Sequence, residues 1–320
     1  MNYELKKLTV LAQTGKLAQA GMSPSLFTFR PSPFPLRPSP FTLYPLLCFL
    51  LLFLAAGSAF AQQDTACFPV REFNAAQLPF HENERLTIVA NYKWGIINTD
   101  VGEATMMLTQ EKFRDTTYFY ARAYAKTYRF YDNFFMVRDV YEARFLTTNL
   151  RPLYFHRNIS EGGYTIKNTY VFNNADYAIH ASVQRKTGAP KDTVLPGKSC
   201  TFDFVSLFYN SRNLDFDHFQ KDQVIPISFA VDEELFHIYY RYIGKEVKKI
   251  SGLGTFKCIK IAAKPVAGEV FDGKNEISIW ISDDKNHIPL LIETPVIVGK
   301  VSARLSKYAN LKHPLSSKVQ

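Results

Sequence analysis

Glu276-Ile-Ser-Ile-Trp-Ile-Ser-Asp-Asp-Lys-Asn-His-Ile-Pro-Leu-Leu-Ile-Glu293 is the stretch from which the fold is read. Ile277, Ile279 and Ile281 alternate with Ser278, Trp280 and Ser282, the period of two that marks a half-buried strand. Asp283 to Asn286 form a polar turn, and Ile288 to Glu293 run back as a second apolar strand. Pro289 has no N–H to donate, so this second strand is expected to begin at an edge or a bulge. The isoleucines are expected to face the core and Trp280 the opposite side. His287 reads as a solvated turn residue.

Working outward, the same period recurs. Leu86, Ile88, Ala90 and Tyr92 share one parity, followed by a turn over 95–102 and a return strand from Gly102. Tyr118 to Phe130 reads as one long strand with Tyr118, Tyr120, Tyr124 and Tyr128 on one face and Phe119, Ala121, Ala123 and Ala125 on the other. Asp132-Asn133 interrupt it before a strand resumes over Phe134 to Phe145. Glu161-Gly162-Gly163 joins two more strands as a hairpin turn. Later strands are expected at Val224–Val231, Phe236–Tyr242, Glu246–Ile250, Gly254–Ala263 and Val296–Leu305. Turn signals every 8–12 residues or so predict an all-β fold, an antiparallel sheet curled into an open barrel or roll.

One segment breaks the period. In Thr201-Phe-Asp-Phe-Val-Ser-Leu-Phe-Tyr-Asn-Ser-Arg212, Phe204, Val205 and Phe208 recur at helical spacing, and Thr201 or Asp203 is placed to cap the start. A short helix around 203–212 is expected to cover one opening of the sheet. Asp203, Ser206, Tyr209 and Arg212 form a polar stripe on it. The stripe reads either as an exposed face or as a device in which Arg212 pins the helix to the sheet through a carboxylate.

The N-terminal part reads as address rather than fold. Leu46 to Ala56 is an apolar run of signal-peptide length, followed by Ala59-Phe60-Ala61. Cleavage is expected after Ala61, and Met22 is an alternative start. Cys48 sits in that run without the small preceding residue that a lipoprotein signal requires. The boundaries are then 1–61 leader and signal peptide, 62–80 polar lead-in, 81–311 a single β domain and 312–320 a C-terminal tail. Export to the periplasm is the expected destination, with no transmembrane span after cleavage. The whole chain carries a formal charge of +9; removing the leader, with five Lys/Arg and one Glu, leaves +5. That excess is dispersed, and Glu246 interrupts the cluster Lys245, Lys248, Lys249, which argues against nucleic acid as a partner. Of four cysteines, Cys67, Cys200 and Cys258 remain after cleavage. No C-x-x-C occurs, and one disulfide among them is open.

No catalytic or cofactor motif emerges. The seven histidines form no H-E-x-x-H and no close metal pair. Asp232-Glu233-Glu234 and Asp283-Asp284 are adjacent acids in turns, not two carboxylates set across a cleft. Ser206 lies outside any G-x-S-x-G elbow.

Gly102-Glu-Ala, Leu150-Arg-Pro, Asp203 to Arg212, Gly252-Leu-Gly-Thr-Phe256, Ile279-Trp-Ile-Ser-Asp-Asp284, Ile288-Pro289 and Val298-Gly299, in this order, resemble the bacterial domain-of-unknown-function family 3108. The resemblance runs from about Leu86 to Leu305. It implies an exported, mostly β protein and carries no catalytic residue with it. The reading is therefore a non-enzymatic envelope protein that binds an apolar or amphipathic, lipid-like ligand. Tyr120, Tyr124, Tyr128, Phe204, Phe208 and Trp280 are the candidate pocket residues. The alternatives are an interaction domain for an envelope protein partner and a hydrolase of envelope glycan.

Overall fold

Two antiparallel meanders share one sheet. In the computed structural model, which describes residues 70–263, 276–295 and 299–319, the first meander runs through β1 (Arg85–Trp94), β2 (Ile97–Phe113), β3 (Thr116–Thr127), β4 (Arg138–Leu146), β5 (Pro152–Glu161), β6 (Tyr164–Phe172), β7 (Ala178–Arg185) and β8 (Lys191–Pro196). The second runs through β10 (Val224–Val231), β11 (Glu234–Ile250), β12 (Gly254–Ala263), β13 (Ile277–Ser282), β14 (Pro289–Pro295) and β15 (Lys300–Ala309). Pairing of β1 with β15 joins them. β9 (Thr201–Phe202) adds in parallel to β10, and β16 (Lys318–Val319) pairs with β12. The path ends at β8 and β9, which do not pair, so the sheet is open. The leader, the cleavage point after Ala61, Met22, Cys48 and Cys67 lie outside the described residues.

The hairpin of β13 and β14 shows how local chemistry sets register. β14 begins at Pro289, and a register shift falls between Trp280 and Ile281, where Pro289 meets Ile281. The missing donor is thus accommodated at an irregularity. Ile277, Ile279 and Ile281 pack with Ile259, Ile261 and Phe202, whereas Trp280 packs on the other side with Ile250, Phe256 and Leu291. Two other connections depart from the sequence reading. The first hairpin has only Gly95-Ile96 between its strands, not a turn over 95–102, because a register shift at Ala90/Asn91 lets β2 pair from Ile97. Phe236–Tyr242 and Glu246–Ile250 are one bent strand, β11, with its shift between Tyr242 and Gly244.

Among the described residues there are two α-helices rather than one: α1 (Arg129–Phe135) and α2 (Phe204–Arg212). The aromatic run Tyr128 to Phe135 has strand composition, yet side-chain bonds from the residues flanking it wind it into α1. Asp132 takes the Thr127 hydroxyl at 2.5 Å and the Arg138 guanidinium at 2.6 and 3.0 Å. Phe135 lies over Gly162 in the β5–β6 turn, where a Cβ would sit 2.3 Å from its ring.

The sheet curls around α2. Val205 and Tyr209 pack against Ala121, Ala143, Phe145 and Phe155 of the first meander; Leu207 packs with Ile227, Phe229 and Ile261 of the second. The polar stripe is not exposed, since Ser206, Tyr209 and Arg212 are all buried. Inside a sheet every polar group must find a partner. Asp203 accepts from the Val205 and Ser206 amides at 2.8 and 2.9 Å and from the Ser206 hydroxyl at 2.7 Å. Burial pushes the Asp203 carboxyl up to about 6, against those hydrogen bonds. Arg212 donates to both oxygens of Glu84 at 2.5 and 2.9 Å and to the Asn286 carbonyl at 3.0 and 3.2 Å. Both charged side chains are fully buried.

The turn that receives Arg212 is itself held. Asn286 is buried, and its side chain donates to the His313 carbonyl at 3.0 Å and accepts the His313 amide at 3.0 Å. Asp284 takes the Ser317 amide at 3.1 Å. His287 is half-buried, not solvated: its Nδ1 lies 2.9 Å from the Arg212 carbonyl, and burial lowers its pKa. The chain after Asn310 thus folds back over the hairpin.

Removing either partner of a buried pair strands the other charge, at a cost of about 3–5 kcal/mol, while replacing both with apolar groups is nearly neutral. Glu84→Gln and Arg212→Met are each expected to lower stability by amounts of that order. The double variant is expected to lose less than the sum, as read by urea unfolding. For Asp203 the raised folded-state pKa means its stabilising contribution is complete near pH 4 and is lost as pH rises through about 6. Asp203→Asn, which keeps the cap and has no charge to bury, is expected to gain on the parent between pH 4 and pH 7, as measured by the same unfolding curves.

Candidate functional site

The inner face of the sheet is only partly filled by α2. Ala121, Ala143 and Ala181 are buried in the cluster that holds Val205 and Tyr209. Toward the end of the sheet that carries the β1–β2 turn, small residues continue beyond the reach of α2. Ala90 faces Ala303 across β1 and β15, and Ala104 faces Ala125 across β2 and β3. An alanine side chain ends at Cβ, so four of them on adjoining strands leave a hollow where larger side chains would pack. Tyr131, Phe134 and Phe135 of α1 form the facing wall with Val137. The space is about 300 Å³ and almost wholly apolar, with Glu103, Lys126 and Glu161 among its lining. Ile88, Ala90, Ala104, Ala125 and Ala303 are each only half-buried, so the hollow opens to solvent.

Gly102 helps to shape it. A Cβ there would lie 2.5 Å from the Lys126 carbonyl oxygen. The close approach of β2 and β3 at the hollow therefore requires glycine.

The six aromatic residues singled out by parity do not converge here. Tyr120 points to the outer face, donating to Glu142 at 2.5 Å with the Arg144 guanidinium 4.8 Å from its ring. Burial and Glu142 push its phenol up to about 12. Tyr124, of the same parity, is exposed. Tyr128 is the residue before α1, its amide donating to the Val101 carbonyl at 3.0 Å. Phe204 and Phe208 belong to α2 and pack in the interior. Trp280 is buried on the outer side, with Nε1 2.5 Å from Glu246 and the Lys248 ammonium 3.8 Å from its ring. The reason is that α2 occupies the concave side. The small face of β3 must turn inward to admit it, and the tyrosines turn outward. The residues that line the hollow are alanines, which attract little notice in a sequence; the small parity of Ala121, Ala123 and Ala125 was the available signal.

The acidic clusters are engaged elsewhere. Asp232 and Glu233, at the β10–β11 turn, reach across the curl to the first meander. Arg157 pairs with Asp232, Tyr170 donates to the Asp232 carbonyl at 2.9 Å, and Arg185 takes both oxygens of Glu233 at 2.6 Å. These bonds hold the two meanders together where no backbone pairing does, and Arg185 lowers the Glu233 pKa. Asp283 pairs with Lys245 at 2.9 Å, and Asp284 orders the turn. Cys258 is a free buried thiol whose pKa burial raises to about 11, and Cys200 is disulfide-bonded. Among the described residues no group of three metal-ligating side chains forms, and no helix is long and apolar enough to cross a membrane.

An open, curled antiparallel sheet wrapped on an internal helix, with an apolar hollow beside it, defines the class of protein. The chain belongs to the family described as "Protein of unknown function (DUF3108)", whose model matches residues 89–306. No curated relative matches the sequence. Among solved structures it is similar to a β-barrel-like protein of domain of unknown function DUF1849 from Brucella abortus, at 8% identity over 72% of this chain and 98% of that one, with a TM-score of 0.44. It is also similar to a Bacteroides fragilis protein provisionally described as exported with a YmcC-like fold (9% identity, 72% and 98% coverage, TM-score 0.32). A third, from Parabacteroides distasonis, is provisionally described as a lipoprotein (11% identity, 73% and 98% coverage, TM-score 0.31). At such identities no activity carries over from them.

Proposed function

We propose that the protein is an exported envelope protein that binds an apolar or amphipathic molecule, such as the acyl part of a lipid, in the alanine-floored hollow beneath α1. The observation that carries this reading is the hollow itself: about 300 Å³, apolar, concave and open at its rim. Small-molecule sites are concave and mostly apolar with a few polar groups to fix orientation, and Glu103, Lys126 and Glu161 are those groups here. Each methylene withdrawn from water contributes roughly 0.8 kcal/mol, so a short length of acyl chain suffices for useful affinity. Export and a periplasmic location rest on the apolar run Leu46–Ala56 and on Ala59-Phe60-Ala61.

A hydrolase reading draws less support, because Asp232, Glu233 and Asp283 are committed to ion pairs and Asp203 is sealed inside the sheet. The interaction-domain reading has one observation in its favour. β8 is an edge strand, and its Val194 is exposed.

Native mass spectrometry of protein recovered from the expressing cell, followed by organic extraction, is expected to find a bound lipid-like species. Ala104→Leu and Ala125→Leu, which place side chains into open space, are expected to weaken binding of a dansyl fatty acid by about tenfold or more while leaving the unfolding midpoint unchanged or raised. Unaltered binding in both variants would overturn the assignment of the site.

A further inference from the structure

Two neighbouring elements at one end of the sheet expose an unusual amount of apolar surface. The β1–β2 turn presents Trp94, Ile96 and Ile97, and Ile96 is fully exposed. α1 presents Phe130 and Phe134, and Met136 follows at its end. The elements are tied together: the Thr99 hydroxyl is 2.5 Å from the Tyr131 hydroxyl, and the Tyr128 amide donates to Val101. Phe134 also lines the hollow, so this apolar end lies at its mouth.

Charge accompanies it. On the outer face a polar groove of about 590 Å³ is lined by Lys93 and Asn98 of the same hairpin and by Lys248, Lys249, Lys300 and Arg304. Its acids are neutralised in place. Asp100 pairs with Arg304, and Glu293 with Lys300 at 2.7 Å. Around α1, Glu103 pairs with Lys126 and Asp132 with Arg138. Lys93, Arg129 and Lys249 are exposed and make no ion pair among the described residues. The end is therefore apolar at its tip and net cationic around it.

We propose that this end docks on the surface of a membrane containing anionic lipids. Trp94, Ile96, Ile97 and Phe130 enter the headgroup–acyl boundary, and the basic groove lies against the phosphates. A tryptophan with aliphatic neighbours, flanked by lysines, suits that boundary, because the indole and lysine stems are apolar while their polar ends stay wet. A soluble partner with an acidic face would satisfy the lysines but leave a fully exposed isoleucine unexplained. Docking would set the mouth of the hollow against the bilayer, so the inference rests on the reading of the hollow for its purpose, though not for its test.

The test is vesicle flotation with the protein as recovered from the expressing cell. Vesicles of phosphatidylethanolamine with phosphatidylglycerol are compared with vesicles of phosphatidylcholine alone. Binding is expected to the anionic vesicles and to weaken with salt. Ile96→Asp, at a side chain with no packing to lose, is expected to weaken it by about tenfold. Lys93→Glu and Lys249→Glu are each expected to weaken it by about fivefold, on the anionic vesicles only. The chain has two tryptophans, and Trp280 is buried. Quenching by brominated acyl chains therefore reports Trp94 and is expected on binding. All variants share one N-terminus, so a contribution from the apolar run 46–56 is common to them. Vesicle binding without quenching, or binding unchanged by Ile96→Asp, overturns the proposal. So does light scattering that shows the tip variants dissolving a self-association instead. Ala104→Leu separates the two readings: it is expected to lose the fatty acid probe and keep vesicle binding.

Discussion

A charged helix end inside a curled sheet needs a counter-charge from the sheet, and the Glu84–Arg212 pair supplies it. The remaining N–H groups of the guanidinium are met by the carbonyl of Asn286, and the Phe80 ring lies 5.0 Å from it. One side chain thereby connects four distant parts of the chain: the segment entering β1, the end of α2, the β13–β14 turn and, through Asn286, the chain after Asn310. A buried ion pair is weak evidence for stability in itself, since desolvation offsets much of the attraction. Its strength is in specificity. Any arrangement that draws α2 out of the sheet leaves Glu84 without its partner in the interior.

The position of α2 decides the rest of the inner face. Where the helix lies, alanines of the surrounding strands approach it closely and disappear from solvent. Beyond its reach, Ala90, Ala104, Ala125 and Ala303 have nothing above them except α1 at one side. The hollow is thus the unfilled continuation of the groove that admits the helix. Its apolar character follows from the same small residues that packing requires further along the strands.

The charges divide in a similar way. Acids that look available in the sequence, Asp232, Glu233, Asp283 and Asp284, bind the curl and its turns together. The acids at the hairpin end are each paired, which leaves lysines and one arginine to dominate the field around an apolar tip. Surface ion pairs of this kind contribute little to stability. Here their consequence is the net sign they leave exposed.

Much of this was legible in the residues alone. The alternation of Ile277, Ile279 and Ile281, the irregularity at Pro289, the Gly162-Gly163 turn and the capped helix from Asp203 are all local, because period and turn chemistry act within a few residues. The ordered motifs from Gly102 to Gly299 resembled the family to which the chain belongs. What the sequence could not decide was which face of each strand turns inward. Tyr120 and Trp280 have the composition of pocket residues, and α1 has the composition of a strand. Glu84, in a polar lead to β1, gives no local sign that it meets Arg212. The Glu84–Arg212 contact spans 128 residues of chain, and the inward face of each strand follows from the curl of the sheet around α2, which no local stretch encodes.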